Sequence, residues 1–97
     1  MKIEITLSAS DDVAGGHQFY EIQEAGLGHY FESSIMSDIR SLQVYAGIHE
    51  IRFEEYHRKI ARHFPYAIFY RIEDEVIRVY AILDTRRNPD MISERLN

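Results

Sequence analysis

The chain has 97 residues, 45% of them hydrophobic and 28% charged, with no cysteine and a formal net charge of −5. That length supports one core, residues 1–97 as a single domain, and that composition excludes a disordered chain. The absence of cysteine excludes a disulfide framework and any thiolate nucleophile or metal ligand. No apolar run reaches the roughly 18 residues of a membrane span, and "MKIEITLSAS" alternates instead of forming a signal sequence, so a cytoplasmic protein is expected.

Along "KIEITLS" the apolar Ile3, Ile5 and Leu7 alternate with Lys2, Glu4 and Thr6, which predicts a half-buried first strand. Ser8 or Ser10 followed by Asp11 and Asp12 predicts a helix start, a capping hydroxyl with carboxylates near the positive end of the dipole. The helix carries Val13, Phe19, Tyr20 and Ile22. Its Gly15 and Gly16 each cost it about 1 kcal/mol of intrinsic stability, and mark either close backbone packing or a poor helix. "AGLG" at 25–28 predicts a tight link. A second helix is predicted over 27–43, with Phe31, Ile35, Ile39 and Leu42 on one side and Glu32, Ser33, Ser37 and Arg40 on the other. The short link makes the helices an antiparallel pair.

"YAGIHEIRFEEYHR" has no clear period and is expected to be loop passing into strand. "KIARHFPYAIFYRIEDEVIRVYAILD" then predicts strand, strand, tight turn, strand. Pro65 marks a strand start or a bulge, because it has no N–H for a ladder. Glu73, Asp74 and Glu75 suit the turn between strands at 67–72 and 76–83. Strict alternation puts Ile68, Tyr70 and Ile72 on one face, opposite Ala67, Phe69 and Arg71. It sets Ile77, Val79, Ala81 and Leu83 against Val76, Arg78, Tyr80 and Ile82. Both faces are largely apolar, as in strands covered on both sides. Pro89 and "DMISERL" predict a short last helix. The expected order is β-α-α-β-β-β-α. This is an α+β fold with the antiparallel helical pair on one face of a small, mostly antiparallel sheet.

The charge is uneven. Residues 1–51 carry about −6 and residues 52–97 about +1, so the cations gather late and a nucleic acid would need a local basic patch. No phosphate-binding loop, dinucleotide fingerprint, zinc motif or serine nucleophile motif is present, and no cofactor or metal is expected. His17 and His29 are expected on the surface of the helical pair. His57 and His63 flank the basic segment and are candidates for acid–base chemistry there. The basic constellation is Arg58, Lys59, Arg62, His63, Arg71, Arg78, Arg86 and Arg87. By strand alternation Arg58 and Arg62 share one face, and Lys59 and His63 the other. Guanidinium pairs at a strand end bind phosphates or carboxylates. The bland reading pairs them with Asp84, Asp90 and the Glu73–Glu75 turn. Tyr56, Tyr66, Tyr70 and Tyr80 stand among them, either to stack bases or to pack the sheet.

"FYEIQEAGLGHYF" (19–31), "RHFPYAIFYRIEDEVIRVYAIL" (62–83) and "DTRRNPDMISERL" (84–96) together resemble the ParE/RelE superfamily of type II toxin–antitoxin toxins, closest to its ParE-like, plasmid stabilisation branch. The resemblance spans nearly the whole chain. It implies a growth-inhibiting toxin neutralised by a cognate antitoxin in a hetero-oligomer, the antitoxin wrapping the sheet and helical pair. For the ParE-like branch it implies inhibition of DNA gyrase by protein binding. For the RelE-like branch it implies ribosome-dependent, metal-independent mRNA cleavage, with Arg62, His63 and Arg87 as candidate catalytic residues. Ala67 stands where those nucleases carry an arginine, and no tyrosine follows Arg87, so the protein-binding branch fits better. Asp84 stands where many relatives carry a histidine or a small residue, and an inactive antitoxin-binding homologue is a third reading. The residues expected to meet target or antitoxin are Arg58, Arg62, Tyr66, Arg86 and Arg87.

Overall fold

A computed structural model describes residues 1–49, 51–52 and 55–97. The elements are β1 (Lys2–Ile5), α1 (Leu7–Gln23), α2 (Leu27–Arg40), α3 (Leu42–Tyr45), β2 (Ile51–Arg52), β3 (Tyr56–Ile60), β4 (Tyr66–Glu73), β5 (Val76–Asp84) and α4 (Pro89–Leu96). One sheet has the order β1-β5-β4-β3-β2, with β1 parallel to β5 and every other pair antiparallel. The architecture is the α+β arrangement that the sequence predicts, with a helical pair on one face.

The first helix starts earlier than predicted. Thr6, not Ser8 or Ser10, is its cap: the Thr6 Oγ1 accepts from the Ala9 N–H at 3.2 Å and donates to the Val79 carbonyl at 2.9 Å. One hydroxyl thus closes the helix start and fastens it to β5, a long-range tie that local capping rules do not contain. Asp11 and Asp12 consequently lie beyond the first turn. The buried side of α1 is Ala9, Val13, Gly16 and Tyr20, whereas Phe19 and Ile22 are exposed. The two glycines divide the readings left open for them. A Cβ on Gly16 would sit 2.4 Å from the Phe31 ring, so this position is close packing; a Cβ on Gly15 would meet nothing.

Phe31, Ile35, Ile39 and Leu42 are all buried as predicted, although the helix breaks at Ser41 into α2 and α3. Residues 50, 53 and 54 of the stretch expected to pass from loop into strand lie outside the described residues. Pro65 precedes β4 directly, as expected of a strand start, and its carbonyl accepts from the Thr85 N–H. The hairpin turns at Asp74 and Glu75, which have φ of 52° and 63°, the backbone of a type I′ turn carried by two residues that have side chains.

The strict alternation assigned to the last strand is broken. Phe69 pairs with Ala81 but Tyr70 pairs with Val79, so Tyr80 is one residue in excess. Ile77 and Val79 face the helical pair with Tyr66, Ile68, Tyr70 and Ile82. Past the bulge, Ala81 and Leu83 turn to the opposite face with Ala67, Phe69 and Tyr56. That second face is not left bare: α4 lays Ile92 and Leu96 on it, and the Tyr56 hydroxyl donates to the Leu96 carbonyl at 2.9 Å. The shared face expected for Arg58 and Arg62, and for Lys59 and His63, does not exist either. β3 ends at Ile60, and Arg62 and His63 lie in the following turn.

Candidate functional site

Most of the cations in the late basic segment are held by the protein's own carboxylates. The Arg62 Nε donates to Asp38 Oδ1 at 3.2 Å and the Arg62 backbone N–H to Asp38 Oδ2 at 3.2 Å; Asp38 itself is 1% exposed. Such a buried carboxylate requires these donors. On the sheet face beyond α4, Arg78 binds Glu73 at 2.6 Å and Glu4 at 3.1 Å, Arg71 pairs with Glu55 and Glu73, and the Arg71 guanidinium lies over the Tyr56 ring. The Tyr80 hydroxyl and then Arg78, both hydrogen-bonded to Glu73, hold its carboxyl below the usual range. Glu73 therefore plays the partner role considered for the turn acids.

At the end of β5, Arg86 folds back on Asp84 through both guanidinium and backbone N–H, with Nη2 to Oδ2 at 2.6 Å and the backbone N to Oδ1 at 2.8 Å. The Arg86 hydrogen bond holds the Asp84 carboxyl below the usual carboxylate range. Arg87 is different. It is exposed and lines two cavities, one on each side of the strand end. One has a volume of about 130 Å³ and brings Arg87 to Arg58 above Ala67, Phe69 and Ile92. The other, about 460 Å³, lies between α1 and β5 and is walled by Asp11, Asp12, Gly15, Phe19, Tyr66 and Asp84. Tyr66 is mostly buried, and burial pushes its hydroxyl pKa up; the same holds for Tyr20, which packs against it.

The structure therefore brings together Arg58 with Arg87, and Arg87 with Tyr66 and Asp84. It does not gather Arg62, His63 and Arg87. Arg62 lines a separate cavity with Lys59, Ser37 and Ser41, and the exposed His63 has its ring 6.0 Å from Tyr30. Among the described residues, no group of three or more His, Cys, Asp or Glu side chains is placed to hold a metal ion.

The residues that sequence reasoning missed are on α1. Asp11, Gly15 and Phe19 are spaced by four, as are Asp12 and Gly16, so they form one stripe along the helix facing the strand end. That signal was present in the sequence, but attention to buried apolar periodicity passes over a stripe of acids, glycines and one exposed ring. Asp12 is its anchor. Its carboxylate takes the Ile82 N–H at 3.0 Å and both Nη atoms of Arg95, at 2.9 and 2.8 Å, so one side chain joins α1, β5 and α4.

No family model and no curated protein matches the chain. Among solved structures, a chain of the chromosomal ParDE TA system from P. aeruginosa is similar, with a TM-score of 0.76 and 16% identity. The likeness covers 84% of this chain and 92% of that chain. At that identity what is shared is the fold, and this chain has the ParE-like fold that its sequence resemblance implies.

Proposed function

We propose that the chain is the toxin component of a type II toxin–antitoxin module, acting in the cytoplasm by binding proteins and neutralised by a cognate antitoxin. The fold likeness to a ParDE system supports the module. The observation that carries protein binding over RNA cleavage is the state of the cations. Arg62, Arg71, Arg78, Arg86 and Arg95 are each paired with a carboxylate of the chain itself. Ala67, at the position where the nucleases carry an arginine, is buried beneath α4. A phosphodiester in its transition state needs convergent donors, whereas Arg62 and Arg87 line different cavities and the His63 ring lies beside Tyr30. DNA gyrase is the target that the ParE-like branch suggests. The surface proposed for target or antitoxin is the strand end, with Arg58, Tyr66, Arg86 and Arg87.

Expression of the chain alone tests this reading. Growth arrest with an SOS response and intact mRNA supports it, and Arg86→Ala combined with Arg87→Ala abolishes the arrest while the melting curve stays cooperative. Fresh cleavages within translated codons, read by primer extension, would instead establish the endoribonuclease. No growth defect at all would leave an antitoxin-binding homologue without toxicity.

A further inference from the structure

We infer that the groove between α1 and the outer edge of β5 is a docking site for an extended peptide segment of a partner protein, added beside β5 as a short strand and carrying apolar and basic side chains. This deepens the protein-binding reading and rests on it. β1 accompanies β5 only through Ile5 opposite Val79, where Thr6 closes the lane with its N–H and hydroxyl on the Val79 carbonyl. β5 continues to Asp84, and among the described residues no strand lies on that side. The backbone on this edge points outward. The Ile82 N–H reaches out to Asp12, while the Thr85 N–H turns inward to the Pro65 carbonyl. Alternation then places the Asp84 N–H on the same outward side as that of Ile82. Two outward groups are already used, the Ile82 N–H by Asp12 and the Asp84 carbonyl by the Arg87 N–H, and the Ile82 carbonyl and Asp84 N–H remain as the acceptor and donor that an added strand would take.

The space beside the edge suits such a segment. Its volume of about 460 Å³ lies within the roughly 300–1,000 Å³ of sites that hold a small ligand or a few residues of peptide. Gly15 presents bare backbone to it, and Phe19, 51% exposed, offers an apolar anchor. Charge selects the occupant. Of the three carboxylates in the walls, Arg95 neutralises Asp12 and Arg86 neutralises Asp84, and the exposed Asp11 makes no ion pair among the described residues. A basic side chain is attracted to Asp11, while Arg87 on the opposite lip takes a carboxylate. A nucleic acid would lay its phosphates along these acids, which repel them.

The test is selection of a phage-displayed hexapeptide library on the full chain. The best binder is then titrated by fluorescence anisotropy into wild type, Gly15→Leu and Asp11→Lys. Selected peptides should combine apolar residues with Lys or Arg and slow amide exchange at Asp84. Gly15→Leu should weaken binding at least tenfold without lowering the melting temperature, because its Cβ meets nothing and leucine is a better helix former than glycine. Asp11→Lys should weaken it as well. Failure to select any peptide, equal binding by Gly15→Leu, or unchanged exchange at Asp84 in the saturated complex would overturn the groove. Growth arrest is scored separately. A wild-type chain that binds the peptide but arrests no growth loses the toxin reading and keeps the groove; one that arrests growth but selects no peptide does the reverse.

Discussion

Removing a single hydroxyl, in Tyr70→Phe, should destabilise the protein by about 2 kcal/mol at neutral pH, and by less in acid. Tyr70 is fully buried, and its hydroxyl meets two groups of the segment before β2: the Gly47 N–H at 3.0 Å and His49 Nδ1 at 2.6 Å. The hydroxyl oxygen accepts from Gly47, so its proton is free for Nδ1, which serves as acceptor only while the imidazole is neutral. Burial first, then the neighbouring Lys59 and His57, depress the His49 pKa. His57 also stacks on Tyr70 and contacts the His49 carbonyl through its Nδ1 at 2.9 Å. Phenylalanine keeps the ring volume, so no cavity opens. The loss is two hydrogen bonds, each worth about 1 kcal/mol net, with a further contribution if the Gly47 N–H finds no water. For a chain of this size that lowers the melting temperature by roughly 10 °C. The sign with pH follows from linkage. A histidine whose folded pKa lies below its unfolded value binds fewer protons when folded. Its contribution is present above the unfolded value of about 6.5 and is lost as pH falls towards the folded one. Urea unfolding of both proteins at pH 7.5 and pH 5 measures this. A difference below about 0.5 kcal/mol, or one that does not shrink in acid, would refute the arrangement of donor and acceptor assigned to the pair.

Gly16→Ala should destabilise by about 1–3 kcal/mol through its clash with Phe31, whereas Gly15→Ala one residue earlier should stabilise by about 0.5–1 kcal/mol, both read from thermal melts. Asp74→Asn with Glu75→Gly should raise stability by about 1 kcal/mol, since both positions need the left-handed region, and an unchanged urea midpoint would count against the turn. Asp84→Asn should abolish a pH dependence. The depressed Asp84 pKa contributes stability above the unfolded value and loses it as pH falls through the folded one, so the wild type and the variant should converge in acid. Asp12→Ala should release the end of α4 from α1, seen as faster amide exchange at Ile82 and across residues 92–96.

The legible parts of the fold were those in which one face alone sets the pattern. Phe31, Ile35 and Ile39 of α2 and Leu42 of α3 follow helical spacing and all reach the core, because a single apolar stripe sets the pattern there. β5 failed where two layers compete. Its residues pack against α1 on one face and α4 on the other, so apolar side chains occur on both faces and period two cannot report the bulge at Tyr80. The cap at Thr6 was hidden for a related reason. What decides between Thr6 and the serines is the Val79 carbonyl, 73 residues away. At the candidate site the sequence pointed to the strand end as a place of charged residues, but the helix that completes its wall showed only as a stripe of Asp, Gly and Phe.

The charge gradient is the instructive case. Acids dominate the first half of the sequence and nearly all the cations lie in the second, which invites the view of a basic working surface at one end. The fold brings the halves together instead: Arg78 meets Glu4, Arg95 meets Asp12, and Arg62 meets Asp38. Each pair joins an early acid to a late cation across at least 24 residues, so much of the gradient is internal complementarity. The pairs are unequal. Arg62 saturates a carboxylate that is 1% exposed, so losing that cation leaves a buried charge uncompensated. Arg86 shares its carboxylate with solvent and can be drawn away by a partner. Of the arginines singled out at the strand end, Arg87 lines two cavities and Arg86 has a partner it can exchange. A protein ligand that offers its own carboxylate to Arg87 and a cation to Asp11 could enter while the Arg86–Asp84 and Arg95–Asp12 pairs stay closed. A polyanion entering the larger cavity would bring its phosphates to Asp84 and Asp11 as well as to Arg87, and these acids repel them.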